Sequence, residues 1–115
     1  MLRKENRLSQ RSDILRVKEE GKLINASLLS LLVYKNKDKE LKRFGVIVSK
    51  KISKRAVDRN KIKRLIMEAL RINLDKIEGG SEILFLVRKN ILGKKYDEVE
   101  KEIKKVLAIK DKIDK

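Results

Sequence analysis

Apolar residues recur at helical spacing between positions 62 and 73. Because residues three and four apart share one side of an α-helix, this spacing predicts a helix over about 56–75, with Ser53 as its candidate N-cap. The side predicted to be buried carries Ile62, Leu65, Ile66, Ala69 and Asn73. Another side carries Arg59, Asn60, Lys63, Arg64 and Arg71. One helix would therefore hold the core with one side and present polar and cationic groups with the other.

The rest of the pattern predicts two more helices and three strands. Ile14, Leu15 and Val17, followed by Gly21 as a stop signal, predict a helix at about 12–20. Apolar runs of strand length occupy residues 28–34, 44–49 and 83–87. A last helix is predicted at about 96–109, where a one-sided stripe contains Tyr96, Val99, Ile103, Val106 and Leu107.

The order of these elements, α-β-β-α-β-α, indicates an α+β sandwich that forms a single domain over residues 1–115. The first two strands are expected to pair antiparallel across the polar turn at 36–39. The second and third strands flank the long helix, which suggests a parallel βαβ crossover, right-handed by default. A mixed sheet with its helices on one face accommodates this order.

Net charge restricts the range of possible functions more than the hydropathy pattern does. The chain has 115 residues and a formal net charge of +15, and ten basic residues but a single acidic one lie between Lys42 and Arg64. Such one-signed charge repels itself unless a polyanion neutralises it, so nucleic acid is the expected partner. No apolar run is long enough to span a bilayer, and the charged start does not resemble a signal peptide. We expect a cytoplasmic protein with no membrane partner.

The residue types that most enzymes need are scarce. The chain contains no Cys and no His, which excludes thiolate nucleophiles, imidazole bases and Cys/His zinc sites. Acidic residues of the last predicted helix alternate with Lys101, Lys104 and Lys105, as on an ordinary solvated helix. We therefore expect no catalytic residue, no protein-bound metal and no cofactor held by the protein alone.

A second cationic surface is expected where two strands end. Lys50 and Lys51 follow one predicted strand, and Arg88 and Lys89 follow another. If these strands are parallel neighbours, the four cations share one edge and form a groove for a single-stranded backbone. Ordinary solubilising residues after a strand are an equal alternative. Tyr34 could offer a stacking face, although a lone Tyr at a strand end is more often part of the core.

The central segment resembles the signature of the bacterial ribonuclease P protein component. Ser49-Lys50-Lys51-Ile52 precedes the run from Arg55 to Leu65, which reads RAVDRNKIKRL. The family motif is Arg-Asn-Arg followed by Ile-Lys-Arg; here Lys61 replaces the last Arg of the tripeptide, which loses bidentate geometry. Ile14 and Val17 stand where the family commonly has Phe. Asn6-Arg7-Leu8, Asp13-Ile14, Gly21 and Arg88-Lys89 are weaker matches, and together they extend the resemblance over nearly the whole chain.

The resemblance implies a protein subunit of a ribonucleoprotein endoribonuclease. In that family a catalytic RNA, using Mg²⁺, removes the 5′ leader of precursor tRNA, and the βαβ crossover is left-handed. The implied partners are ribonuclease P RNA and precursor tRNA, with no protein oligomer. The residues expected to bind the RNA subunit are Arg55, Arg59, Asn60, Lys61, Lys63, Arg64 and Arg71. Those expected to bind the leader are Ile14, Val17, Tyr34, Lys50, Lys51, Arg88 and Lys89.

Two other functions fit the same composition. A ribosomal or ribosome-assembly protein would be equally basic and equally free of catalytic groups, and composition alone does not separate it from the first hypothesis. A metal-dependent nuclease acting alone is disfavoured, because the carboxylates are scattered and neighboured by lysine.

Overall fold

A computed structural model describes residues 2–113, and its helices and strands follow the predicted order with one addition. The helices are α1 (Arg11–Glu20), α2 (Ala56–Ile72) and α3 (Tyr96–Ile113). The strands are β1 (Lys22–Asn25), β2 (Leu29–Lys35), β3 (Lys42–Ile47) and β4 (Ser81–Val87). Short 3₁₀ turns occupy Lys4–Asn6, Leu74–Lys76 and Lys89–Ile91.

The four strands form one mixed sheet in the order β1-β2-β4-β3. β3 and β4 are parallel neighbours joined through α2, so the predicted βαβ crossover is confirmed, while its left hand stays a prediction. The predicted antiparallel pairing of β2 with β3 is wrong, because β4 lies between them and pairs antiparallel with β2. β4 is the most completely buried strand, and burial on both faces favours the central position.

β1 was not predicted from the sequence. It has four residues, of which only Ile24 is buried, and it pairs antiparallel with β2 at the edge of the sheet. A strand this short, with one inward apolar residue, gives no alternating pattern to recognise. Its exposed residues, which include Lys22, are typical of a protected sheet edge.

Helices cover both faces of the sheet, so the predicted one-sided arrangement is wrong. α2 and α3 pack on one face, where a large core contains Leu31, Phe44, Ile66, Phe85 and Ile103. α1 packs on the other face, where Val17 meets Leu8 and Leu84 in a smaller core. β4 alternates between the two cores, because successive side chains of a strand point to opposite faces. Its continuous apolar run therefore required a layer on each side.

The helix ends differ from the predictions in detail. Arg55, not Ser53, is the N-cap of α2; the Ser53 hydroxyl instead donates to Asp58 (2.9 Å) and accepts the amide of Arg55 (3.2 Å). Gly21 does end α1, but with a φ of −72°, so no left-handed conformation is needed. A side chain there would collide with the Val17 carbonyl, and this close approach explains the glycine.

Candidate RNA-binding surfaces

The outer side of α2 presents cations that no acid of the described chain neutralises. Ile62, Ile66 and Ala69 face the core, as predicted, and the other side of the helix is turned to solvent. Asn60, Lys61, Lys63 and Arg64 are exposed. Within residues 2–113, the ion pairs of the structure do not include Lys61, Lys63 or Arg64. Their charges are therefore available to a partner.

Arg59 has a partly structural position. Its side chain is half-buried, and Nη1 donates to the Ser53 carbonyl at 2.8 Å. This bond ties the first turn of α2 to the segment that leads from β3. The rest of the guanidinium fork keeps its donors for a ligand, since an arginine has five N–H groups.

Two of the predicted cations are paired with acids of α2. Arg71 binds Glu68 through two hydrogen bonds. This bond lowers the pKa of Glu68 below its ordinary value. Arg55 lies 3.9 Å from Asp58, whose carboxylate also accepts the Ser53 hydroxyl. Arg55 and Arg71 are therefore less available than Lys63 and Arg64.

The strand-end cations lie at one edge of the sheet, because β3 and β4 are parallel neighbours. Lys50, Lys51 and Lys89 are exposed. Arg88 is held in place by neutral acceptors: its Nη2 donates to Asn25 Oδ1 at 2.9 Å and its Nε to Ser30 Oγ at 3.2 Å. The guanidinium is thus oriented across β2 and β1 while its charge stays uncompensated. Neither Asn25 nor Ser30 was singled out from the sequence.

Tyr34 lies at the opposite end of the sheet from Arg88. It pairs with Glu82 near the start of β4, whereas Arg88 directly follows the end of that strand, so the two are about 20 Å apart at the usual rise per residue. One face of its ring is already occupied, because the Arg16 guanidinium lies 5.0 Å from the ring centroid. The structure therefore does not bring Tyr34 together with the strand-end cations.

The two α1 residues of the predicted leader set differ in exposure. Ile14 is half-buried against the smaller core, whereas Val17 is completely buried and offers no surface to a ligand. Between the two ends of the sheet, this face carries half-buried apolar side chains from three strands. They are Leu32, Ile47 and Leu86. α1 and these residues form a strip with Tyr34 near one end and Arg88 near the other.

An internal ion network underlies α1 and was missed from the sequence. Glu82 is fully buried, accepts two hydrogen bonds from Arg16 Nη2 (2.7 and 2.9 Å) and a third from Asn36 (3.0 Å). Asp13 joins it, 3.0 Å from Arg16 and 3.6 Å from Arg43. A lone acid inside the run SEILFLV was the available signal, because a buried carboxylate requires a cationic or hydrogen-bonding partner.

Within residues 2–113, no group of three or more acidic side chains is arranged to hold a metal ion. In the same part of the chain, no helix is both long and apolar enough to cross a bilayer. The class of protein that the fold and surface define is a small basic α+β domain, with helices on both faces of its sheet and unpaired cations suited to a polyanion.

Comparison with known proteins identifies the family. A sequence model of the ribonuclease P family matches residues 2–111. The ribonuclease P protein component of Clostridium kluyveri is 41% identical over 103 residues, covering 88% of this chain and 90% of that one. The one from Clostridioides difficile is 36% identical over 105 residues, with 90% of each chain covered.

Solved structures agree with this assignment. The Staphylococcus aureus RNase P protein superposes with a TM-score of 0.82 at 27% identity, over 92% of this chain and 95% of that one. The Thermotoga maritima RNase P protein gives a TM-score of 0.79 at 30% identity, over 88% and 94%. The chain belongs to the ribonuclease P protein family and is a protein subunit of ribonuclease P. This membership decides against a ribosomal or ribosome-assembly protein.

Proposed function

We propose that this subunit binds the catalytic RNA with the outer side of α2 and the 5′ leader of precursor tRNA with the opposite face of the sheet. The observation that carries the proposal is the set of unpaired cations at two separate places. Lys61, Lys63 and Arg64 lie on α2, while Lys50, Lys51 and Lys89 follow the strand ends. The protein then assists a cleavage that the RNA performs with Mg²⁺.

The leader surface combines an apolar strip with polar ends. Half-buried Leu32, Ile47 and Leu86 provide contact area for bases, and Arg88 is pre-oriented at one end by Asn25 and Ser30. An extended strand of a few nucleotides spans such a strip, with its phosphates near the strand-end lysines. In this arrangement Val17 supports the strip from below, and Tyr34 contributes its ring edge and hydroxyl.

The RNA-subunit surface depends on charge rather than on a shaped cavity. Lys63 offers the point charge of an ammonium group, and Arg64 offers a planar guanidinium with paired donors. Both groups suit phosphate oxygens. Asn60 adds an amide, and Arg59 adds the donors that its bond to Ser53 leaves free. Arg55 and Arg71 contribute once the RNA competes with Asp58 and Glu68 for them.

No side chain of this protein is assigned a catalytic role in the proposal. Precursor tRNA and the RNA subunit meet in the cytoplasm, where we expect the protein to act as one copy without a protein partner of its own.

Reconstitution tests the proposal directly. The full chain is mixed with precursor tRNA at low Mg²⁺, with and without the ribonuclease P RNA of Clostridium kluyveri. We expect no cleavage by the protein alone and a faster release of the 5′ leader when the protein is added to the RNA. Cleavage by the protein alone would contradict the absence of catalytic residues. A cleavage rate unchanged by the protein would contradict the assisting role.

A further inference from the structure

A groove separates α2 from the segment that leads into α3. One depression of about 390 Å³ is lined by Ile62, Leu65, Ile91 and Leu92, among others. A second, of about 570 Å³, shares Lys61, Leu65 and Tyr96 with the first and continues toward Val57 along the helix. Both volumes fall in the range of roughly 300–1,000 Å³ that is typical of ligand pockets.

The floor of this groove is apolar and includes a fixed aromatic ring. Val57 and Leu92 are 65% and 41% exposed, so the apolar surface is not covered by the chain itself. The Tyr96 hydroxyl donates to Glu100 at 3.0 Å, and the same carboxylate oxygen accepts the Asn73 amide at 2.9 Å. These bonds hold the ring at the groove between α2 and α3.

The rim of the groove is cationic. Lys61, Arg64, Lys94 and Lys95 line it, and none of them forms an ion pair with an acid of the described residues. Two acids also border the groove, but each is engaged elsewhere. Asp58 binds Ser53 and Arg55, and Glu68 binds Arg71. The uncompensated charge at the rim is therefore positive.

We propose that this groove receives an unpaired nucleotide of the RNA subunit. The base lies on the floor formed by Leu65, Leu92 and the Tyr96 ring, and the flanking phosphates contact the cations of the rim. An apolar floor inside a positive rim fits nucleic acid, whose bases are flat and weakly polar on their faces and whose backbone is anionic. A second copy of this chain fits poorly, because its equally cationic surface would be repelled.

The inference rests on the proposed function, since it extends the α2 surface to a segment that no motif assigns. It predicts that Lys94 and Lys95 bind RNA although they lie five and six residues beyond Lys89 of the strand-end pair. It also explains why the apolar side chain of Leu92 is exposed.

The rim is tested with the double variant Lys94→Ala/Lys95→Ala of the full chain. Its affinity for the Clostridium kluyveri RNA is measured over a range of salt concentrations. We expect a loss of at least about fivefold at low salt and a log–log salt slope shallower by about two, one for each lost phosphate contact. The control Lys101→Ala/Lys105→Ala removes the same charge from exposed positions of α3 and should change neither quantity.

The floor is tested with Leu92→Ser, for which Ile109→Ser is the matched control on exposed α3 surface. We expect the Leu92 variant to lose about fivefold or more in affinity, as for the loss of one base contact, with an unchanged salt slope. A Lys94/Lys95 variant that behaves like its control overturns the proposal. If Leu92→Ser leaves the RNA affinity unchanged, the surface has phosphate contacts but no base site, and the proposal is overturned as well.

A third variant separates this inference from the proposed function. Lys63→Ala/Arg64→Ala alters the α2 surface on which both depend. If that variant loses RNA affinity while the Lys94/Lys95 variant does not, only the groove is wrong. If neither loses affinity, the α2 surface itself is wrong and the groove with it. Sedimentation without RNA completes the set: a change in oligomeric state on Leu92→Ser would indicate an interface between copies and overturn the nucleotide site.

Discussion

Two cationic regions of this protein differ in whether acids of the same chain neutralise them. Under α1, Arg16 and Arg43 are bound to Asp13 and Glu82, and the central carboxylate is fully buried. On the outer side of α2, Lys63 and Arg64 are exposed and lie beyond the reach of any acid in residues 2–113. Both regions are rich in basic residues, and only the position of the acids distinguishes them.

The difference separates cations that are bound within the fold from cations that are available to a partner. A buried ion network that loses one member leaves an uncompensated charge and destabilises the fold. Exposed cations of one sign contribute little to stability and repel one another unless a polyanion neutralises them. Arg88 is intermediate, because neutral Asn25 and Ser30 orient it without cancelling its charge.

The largest effect is expected from breaking the buried network. Glu82→Ala removes the acceptor of Arg16 and Asn36 and should lower the free energy of unfolding by about 3 kcal/mol, measured by urea denaturation. The control Glu19→Ala removes an exposed acid of α1 and should leave stability nearly unchanged. An equal loss in both variants would show that Glu82 is not a structural centre.

The next effect concerns the outer side of α2. Lys63→Ala/Arg64→Ala should weaken binding of the catalytic RNA by roughly tenfold at low salt and make the salt slope shallower by about two. The free energy of unfolding should stay at the wild-type value, since neither cation has an internal acid. Affinity for a single-stranded leader oligonucleotide, measured in parallel, should be unchanged. This pair is a cleaner test than Arg59→Ala, which also breaks the bond to the Ser53 carbonyl.

A smaller effect of the reverse kind is expected at the strand ends. Lys89→Ala removes one exposed cation and should weaken leader binding by about fivefold, as for one phosphate contact, while RNA-subunit binding is kept. Both affinities are measured by titration at a fixed salt concentration. A variant that loses RNA-subunit affinity instead would show that the two surfaces have been divided wrongly.

The smallest effect is a pH dependence that distinguishes neutral from ionic partners. Hydrogen bonds from Asn73 and Tyr96 lower the pKa of Glu100, with a smaller contribution from the charge of Lys104 at 3.9 Å. The bond from Arg71 lowers the pKa of Glu68. A lowered carboxyl pKa stabilises the fold above the unfolded-state pKa, and this contribution is lost as pH falls through the folded-state pKa. Glu100→Gln should therefore reduce the loss of stability between about pH 5 and about pH 3.

Salt sharpens the same comparison. Exposed ion pairs are screened by salt, whereas hydrogen bonds from neutral groups are screened less. The stability that Glu68 contributes above its pKa should decrease at high salt. The corresponding contribution of Glu100 should largely remain. Melting curves of Glu68→Gln and Glu100→Gln at several pH values and two salt concentrations measure both. Equal salt sensitivity would show that the charge of Lys104, rather than the hydrogen bonds from Asn73 and Tyr96, dominates at Glu100.

The two long helices and the central strand were predictable from local pattern. Ile62, Ile66 and Ala69, and likewise Val99, Ile103 and Val106, repeat at helical spacing and are all buried. The run at β4 is apolar without alternation, which is typical of a strand covered on both faces. Because these signals lie within a dozen neighbouring residues, they required no knowledge of the rest of the chain.

The candidate site was predictable only in part. The exposed cations of α2 follow from the same spacing that buries its apolar side. In contrast, the pairing of Arg71 with Glu68, the covering of Tyr34 by Arg16 and the complete burial of Val17 alter the availability of predicted residues. The last two contacts join residues distant in sequence, so no local pattern could report them.

Local sequence was sufficient for the elements, the excess of positive charge and the side of α2 that carries it, because these depend on near neighbours and on composition. Tertiary structure alone decided that β4 lies between β2 and β3, that α1 is the helix covering its second face, and that Glu82 binds Arg16. The physical reason is that strand order and ion pairing depend on which distant surfaces meet. In this protein those contacts determine which cations of the described residues are left without an internal acid.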